Sequence, residues 1–128
     1  MTRIPDNDRD LMEKAIYYPM VIKVLMRDLI VVKNAPFKIQ SPYLMMIEET
    51  LKTVQKELSE VKREMKKQGY RVAEVGRDQD FTTFLFVYKG FEEYHNYFNP
   101  RLRNKVEELL RYYFYERYQS NLYKKEIR

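Results

Sequence analysis

The chain of 128 residues is 45% apolar and 34% charged, with 24 Lys and Arg against 19 Asp and Glu and a net charge of +5; this is the size and make-up of one soluble globular domain. Three glycines, five prolines and 15% aromatic residues exclude collagenous, low-complexity and disordered chains, which lack the apolar content to offset ordering entropy. The absence of cysteine excludes disulfide frameworks, thiolate metal centres and cysteine nucleophiles, and it fits a reducing compartment, so a cytoplasmic location is the expectation.

From Leu11 onward, Leu11, Ala15, Tyr18, Ile22, Leu25, Leu29 and Val32 fall three and four apart, which is the stripe of one helix face. Asp6 or Asp8 is placed to cap its start, and Pro19 predicts a kink near Tyr17 and Tyr18 or two helices meeting there. Lys23, Arg27 and Asp28 interrupt the apolar run of residues 17–32, which therefore reads as a core helix and not as a membrane span. The first residues have no apolar stretch behind a basic one, so no signal peptide is expected. Residues 34–40 read as a connection. Ser41-Pro42 then reads as an N-cap followed by a first-turn proline, and Leu44, Ile47, Leu51, Val54, Leu58, Val61 and Met65 repeat the stripe as far as a Gly69 cap. Two long amphipathic helices joined by a short loop predict an antiparallel helical hairpin over about residues 8–68.

Residues 70–75 and 81–88 are rich in β-branched and aromatic side chains and are separated by Gly76-Arg77-Asp78-Gln79-Asp80, which predicts a β-hairpin over about residues 70–88. Its second strand is apolar on both faces. A lone hairpin is marginal in water, so helices or a second copy of the chain must cover it. Gly90 ends that strand, and residues 91–98 read as a short helical segment. Asn99-Pro100 starts a last amphipathic helix on Leu102, Val106, Leu109, Leu110, Tyr113 and Phe114. The C-terminal helical segment then covers about residues 91–120, with a basic tail over 121–128. The expectation is one mainly α domain: an antiparallel long-helix hairpin plus a C-terminal helix, with one β-hairpin as a minor α+β element.

Several phrases along this order of elements are family-like. Arg3-Ile4-Pro5, Ala15-Ile16-Tyr17-Tyr18-Pro19-Met20-Val21, Phe81-Thr82-Thr83-Phe84-Leu85-Phe86-Val87-Tyr88-Lys89-Gly90 and Tyr97-Phe98-Asn99-Pro100-Arg101-Leu102-Arg103-Asn104-Lys105-Val106 resemble the YhjD-like family of small proteins from Bacillus and related spore-forming bacteria. The resemblance spans nearly the whole chain. It implies a bacterial cytosolic setting and supplies no catalytic residues.

Reactive chemistry has little to build on. The glycines Gly69, Gly76 and Gly90 are too scattered for a phosphate-binding loop, and one histidine, His95, with Ser41, Ser59 and Ser120 makes no hydrolytic triad. Glu92-Glu93-Tyr94-His95 places Glu92 and His95 on one face if it is helical, as in di-iron bundles; such a centre needs two motifs and two further carboxylates, which a symmetric dimer with Glu48 or Glu49 would have to supply. The more common reading of His95 is a surface or satisfied interface residue. No cofactor is expected.

The basic excess lies on residues 52–71 and 99–128. Arg101, Arg103, Lys105, Arg111, Lys124 and Lys125, interleaved with Tyr112, Tyr113, Tyr115, Tyr118 and Tyr123, form a set that can neutralise phosphates and stack on unpaired bases. The plainer reading puts Tyr113 and Phe114 in the core and the cations at a helix C-terminus, diluted by Glu107, Glu108 and Glu116. Long amphipathic helices, an apolar hairpin, seven Met and twelve Tyr point to a small cytosolic protein that is no enzyme and has an interaction or regulatory role. It would act through surface binding to an unidentified protein partner or to itself as a homodimer. The alternative is a nucleic-acid-binding accessory protein using the basic, tyrosine-rich C-terminal helix.

Overall fold

A computed structural model describes residues 2–117. Helix α1 (Asp6–Asn34) carries on through Pro19 as one helix, correcting the expectation of two helices meeting there. Pro19 lies on the exposed side, so the missing amide bond is lost where the packing of Met12, Ile16, Val21 and Leu25 is not interrupted. Neither early aspartate caps α1: Pro5 occupies the N-cap position, the Arg9 amide donates to the Pro5 carbonyl at 2.9 Å, and Asp8 instead accepts from the Tyr88 hydroxyl at 2.8 Å.

Helix α2 (Ser41–Gln68) returns antiparallel to α1 and buries Ile47, Val54, Leu58, Val61 and Met65. Ser41 lies inside its first turn, and Gln40 takes the cap position without a side-chain cap bond. Gly69 closes α2 at φ 77°, and its amide reaches the Lys66 and Met65 carbonyls, as a left-handed cap requires.

The expected hairpin is part of a three-stranded antiparallel meander, β1 (Arg71–Arg77), β2 (Phe81–Tyr88) and β3 (Phe91–Phe98), in the order β1-β2-β3. Residues 91–98 are thus a strand and not a helix. Lys89 (φ 47°) and Gly90 (φ 85°) make the two-residue connection whose positive φ angles match the strand twist. The register pairs Thr82 with Tyr97, Phe84 with His95, Phe86 with Glu93 and Tyr88 with Phe91 on one face. The other face carries Phe81 with Phe98, Thr83 with Asn96, Leu85 with Tyr94 and Val87 with Glu92. On β1 the register shifts between Glu74 and Gly76, a bulge that blunts this edge of the sheet.

The inner face of the sheet packs on the first half of α1 and the last turns of α2, where Phe84, Phe86 and Tyr88 meet Met12, Ile16, Val61, Met65 and Tyr70. A second cluster, formed by Val21, Leu25, Ile47, Val54, Val106 and Tyr113, joins the middle of the hairpin to the C-terminal helix. That helix, α3 (Asn99–Arg111), runs into a π-helical turn over Tyr112–Glu116. Asn99 is a brace as well as a helix start: it accepts from the buried Thr82 hydroxyl at 2.6 Å and donates to the Asp78 and Gln79 carbonyls at 3.1 and 3.2 Å.

Phe86 is fully buried at the centre of the middle strand, edge-on to His95 and parallel to Tyr97. Phe86→Ala is expected to lower unfolding free energy by about 3–5 kcal/mol in urea titration; a loss below about 1 kcal/mol would mean that this ring does not hold sheet to helices.

Candidate functional site

In the strand β3, residues three apart point to opposite faces. Glu92 therefore faces outward and His95 inward, which removes the shared helix face on which a Glu92–His95 metal pair depended. The partner of His95 is Glu93, whose Oε1 lies 2.9 Å from Nε2. Glu93 also accepts from the Thr2 hydroxyl at 2.7 Å and from the Arg3 amide at 2.8 Å. Those contacts tie the N-terminal residues across the sheet edge and seat Ile4 in the core. The Arg3 amide bond, aided by the Thr2 hydroxyl and His95, holds the Glu93 carboxyl below its ordinary value. Among the described residues no group of three or more His, Cys, Asp or Glu side chains is arranged to hold a metal ion.

Two more carboxylates receive tyrosines. Glu13 on α1 accepts from the Tyr97 hydroxyl at 2.7 Å, with the Tyr17 hydroxyl at 3.5 Å from the same oxygen. Burial first, and the Glu13 carboxylate second, push the Tyr17 phenol up to about 12 and raise that of Tyr97 further. Glu57 on α2 accepts from Tyr113, which is buried under an open groove of about 520 Å³ lined by Lys14, Tyr18, Glu57 and Glu60 among others. The wide turn after Arg111, in which the Arg117 amide reaches the Tyr112 carbonyl, sets Tyr113 inward. None of these three carboxylates was legible as a site in the sequence; the only hint was the tyrosine surplus, since buried phenols need acceptors.

The basic set of the C-terminal helix is spread along an acid-interleaved surface. Arg103 and Arg111 stand 3.9 and 3.5 Å from Glu107, and Lys105 stands 3.4 Å from Glu108 and 6.0 Å over the Tyr17 ring. Arg101 lines a groove with Glu13, Tyr17 and Tyr97. Lys124 and Lys125 lie outside the described residues.

The outer face of the sheet is the larger departure from an ordinary surface. An antiparallel sheet with one solvated face ordinarily alternates apolar inside with polar outside. Here the outward positions hold Leu85, Val87, Phe81, Phe98 and Tyr94, with Phe81 and Phe98 rings 5.4 Å apart and Tyr94 66% exposed. Arg71 and Glu92 end one cross-strand row through Val87.

A carboxylate whose value is lowered by folding stabilises the fold above its ordinary value of 4.5, and that contribution fades as pH falls through the lower folded value. The stability gap between the native chain and Glu93→Gln is therefore expected to be full near neutral pH and to close on acidification below about pH 4.5, read by urea titration across pH. A gap that stays constant down to about pH 3 would contradict the anchoring role of Glu93.

The family model described as YhjD protein matches residues 3–118. The chain is 42% identical over 115 residues to the "Uncharacterized protein YhjD" of Bacillus subtilis (strain 168), an alignment covering 90% of this chain and 96% of that protein. No solved structure matches it. With nearly its full length matched by that model and by that relative, the chain belongs to the YhjD family.

Proposed function

We propose that the protein is a non-catalytic binding protein that works as a homodimer through the outer face of its sheet. The observation that carries this reading is the pair of outward cross-strand contacts Leu85–Tyr94 and Phe81–Phe98, set on either side of Thr83–Asn96, with Tyr94, Phe81 and Phe98 exposed and Leu85 half-buried on a sheet whose other face is already buried. The charges on that face are self-complementary. A two-fold axis parallel to the strands sets β1 over β3 of the second copy, so Arg71 meets Glu92 of the partner subunit while Leu85 stays near the axis. Three inward carboxylates are engaged in holding the fold: Glu93 on the N-terminal residues, Glu13 on Tyr97 and Glu57 on Tyr113. The nucleic-acid alternative draws little from α3, where Glu107 and Glu108 stand within ion-pair reach of Arg103, Lys105 and Arg111.

Sedimentation equilibrium is expected to give twice the chain mass of 15.8 kDa. Leu85→Lys should return a monomer with an unchanged circular dichroism spectrum. Arg71→Glu should weaken dimerisation about tenfold, and the double variant Arg71→Glu with Glu92→Arg should recover it. A mass of 15.8 kDa at every concentration, or a dimer indifferent to Leu85→Lys, would overturn the reading.

A further inference from the structure

The end of the helical hairpin remote from the sheet carries a second apolar surface. Ile30 and Val31 in the last turns of α1, Phe37 and Ile39 in the connection and Tyr43 at the start of α2 are exposed, Ile30 at 62% and Ile39 at 66%. Scattered exposed side chains need no explanation, but these follow one another around a single tip. Residues 29–47 contain Lys33 and Lys38 and no acidic side chain, the nearest being Asp28 and Glu48, farther from the tip along α1 and α2.

Part of the backbone of this tip is satisfied by its own side chains. Gln40 Nε2 donates to the Val32 and Lys33 carbonyls at 2.7 and 2.8 Å, and Asn34 Nδ2 donates to the Ile30 carbonyl at 2.9 Å. The Phe37 and Tyr43 rings stack at 5.0 Å, which fixes the loop. Carbonyls at a helix end ordinarily require water. Here the side-chain amide of Gln40 supplies two such carbonyls, those of Val32 and Lys33, with a donor, and Asn34 adds a bond to the Ile30 carbonyl, which lowers the cost of leaving water for an interface.

We infer that the hairpin tip docks on a bilayer surface containing anionic phospholipid. Phe37 and Ile39 enter the boundary between headgroups and acyl chains, and Lys33 and Lys38 sit against lipid phosphates. Charge selects this occupant over a second copy. Two tips placed together would set Lys33 and Lys38 against their own equivalents with no carboxylate between them in residues 29–47, whereas an anionic leaflet offers both an apolar layer and the opposite charge. The contact is interfacial, since no helix of the described residues is long and apolar enough to cross a membrane. It is independent of the dimer, whose proposed face lies at the other end of the hairpin.

Flotation of the full chain with phosphatidylcholine vesicles, with and without about 30% phosphatidylglycerol, at about 50 and 200 mM salt tests this. The expected result is binding that needs the anionic lipid and weakens with salt. Phe37→Asp with Ile39→Asp should lower it at least about tenfold without altering the circular dichroism spectrum. Lys33→Glu with Lys38→Glu should abolish the preference for phosphatidylglycerol. The inference is overturned by absence of binding to anionic vesicles at low salt. It is also overturned if the Phe37 and Ile39 changes leave binding intact while Lys124→Ala with Lys125→Ala removes it. A vesicle-free self-association lost in the Phe37 and Ile39 variant but kept in Leu85→Lys would assign the tip to a second copy instead, and Leu85→Lys binding vesicles as a monomer separates this inference from the dimer.

Discussion

A three-stranded sheet has two faces, and among the described residues the helices cover one. β2 is apolar on both sides, with Phe84, Phe86 and Tyr88 inward and Leu85 and Val87 outward. Burying the inner set against α1 and α2 commits the helical hairpin to one side of the sheet, and the outer set is left half-buried or exposed. The rest of the architecture follows from that choice. The N-terminal residues are pulled over the free edge of β3, α3 leaves that strand through Asn99, and the hairpin extends past the sheet far enough to present its tip.

The polar groups turned inward serve that packing. Asp8, Glu13, Glu93 and Glu57 each receive a hydroxyl or amide from a different part of the chain: Tyr88, Tyr97, Thr2 with Arg3, and Tyr113. Hydrogen bonds to charged acceptors are worth roughly 1.5–3 kcal/mol each when well placed. They also fix orientation, since a buried phenol without its acceptor would cost free energy that a slipped register could not recover. The surplus of tyrosine is thus explained in part by inter-element bracing, and in part by the outward Tyr94 and the tip residue Tyr43, which have apolar bodies and polar ends suited to interfaces.

Much of this fold was legible in the sequence. The two helical stripes, the Gly69 stop, the second strand and the Asn99-Pro100 start stand where periodicity and turn chemistry put them, while the first strand runs on through Gly76 and Arg77, which read as loop. β3 was not legible, because its inward positions are Phe91, Glu93, His95 and Tyr97: two polar residues break the period of two, while Phe91, Tyr94 and Tyr97 mimic a helical spacing. The polar inward residues are there to anchor the N-terminus some ninety positions away in sequence, a long-range requirement no local pattern announces. The early aspartates misled for the same reason, as Asp8 is engaged by Tyr88 and not by its own helix. The outer sheet face followed from the two-sided apolar pattern of β2. The hairpin tip did not, because residues 34–40 read only as a connection until the exposure of Phe37 and Ile39 was seen.

The account rests on the outer face of the sheet being a contact surface in solution. Hydroxyl-radical footprinting of the unaltered chain, followed residue by residue as concentration is raised, reads that face directly. The reactivity of Tyr94, Phe81 and Phe98 is predicted to fall as the chain associates, while Phe37 and Tyr43 at the tip keep theirs. Reactivity at Tyr94, Phe81 and Phe98 that is the same at the highest concentration as at the lowest would contradict it.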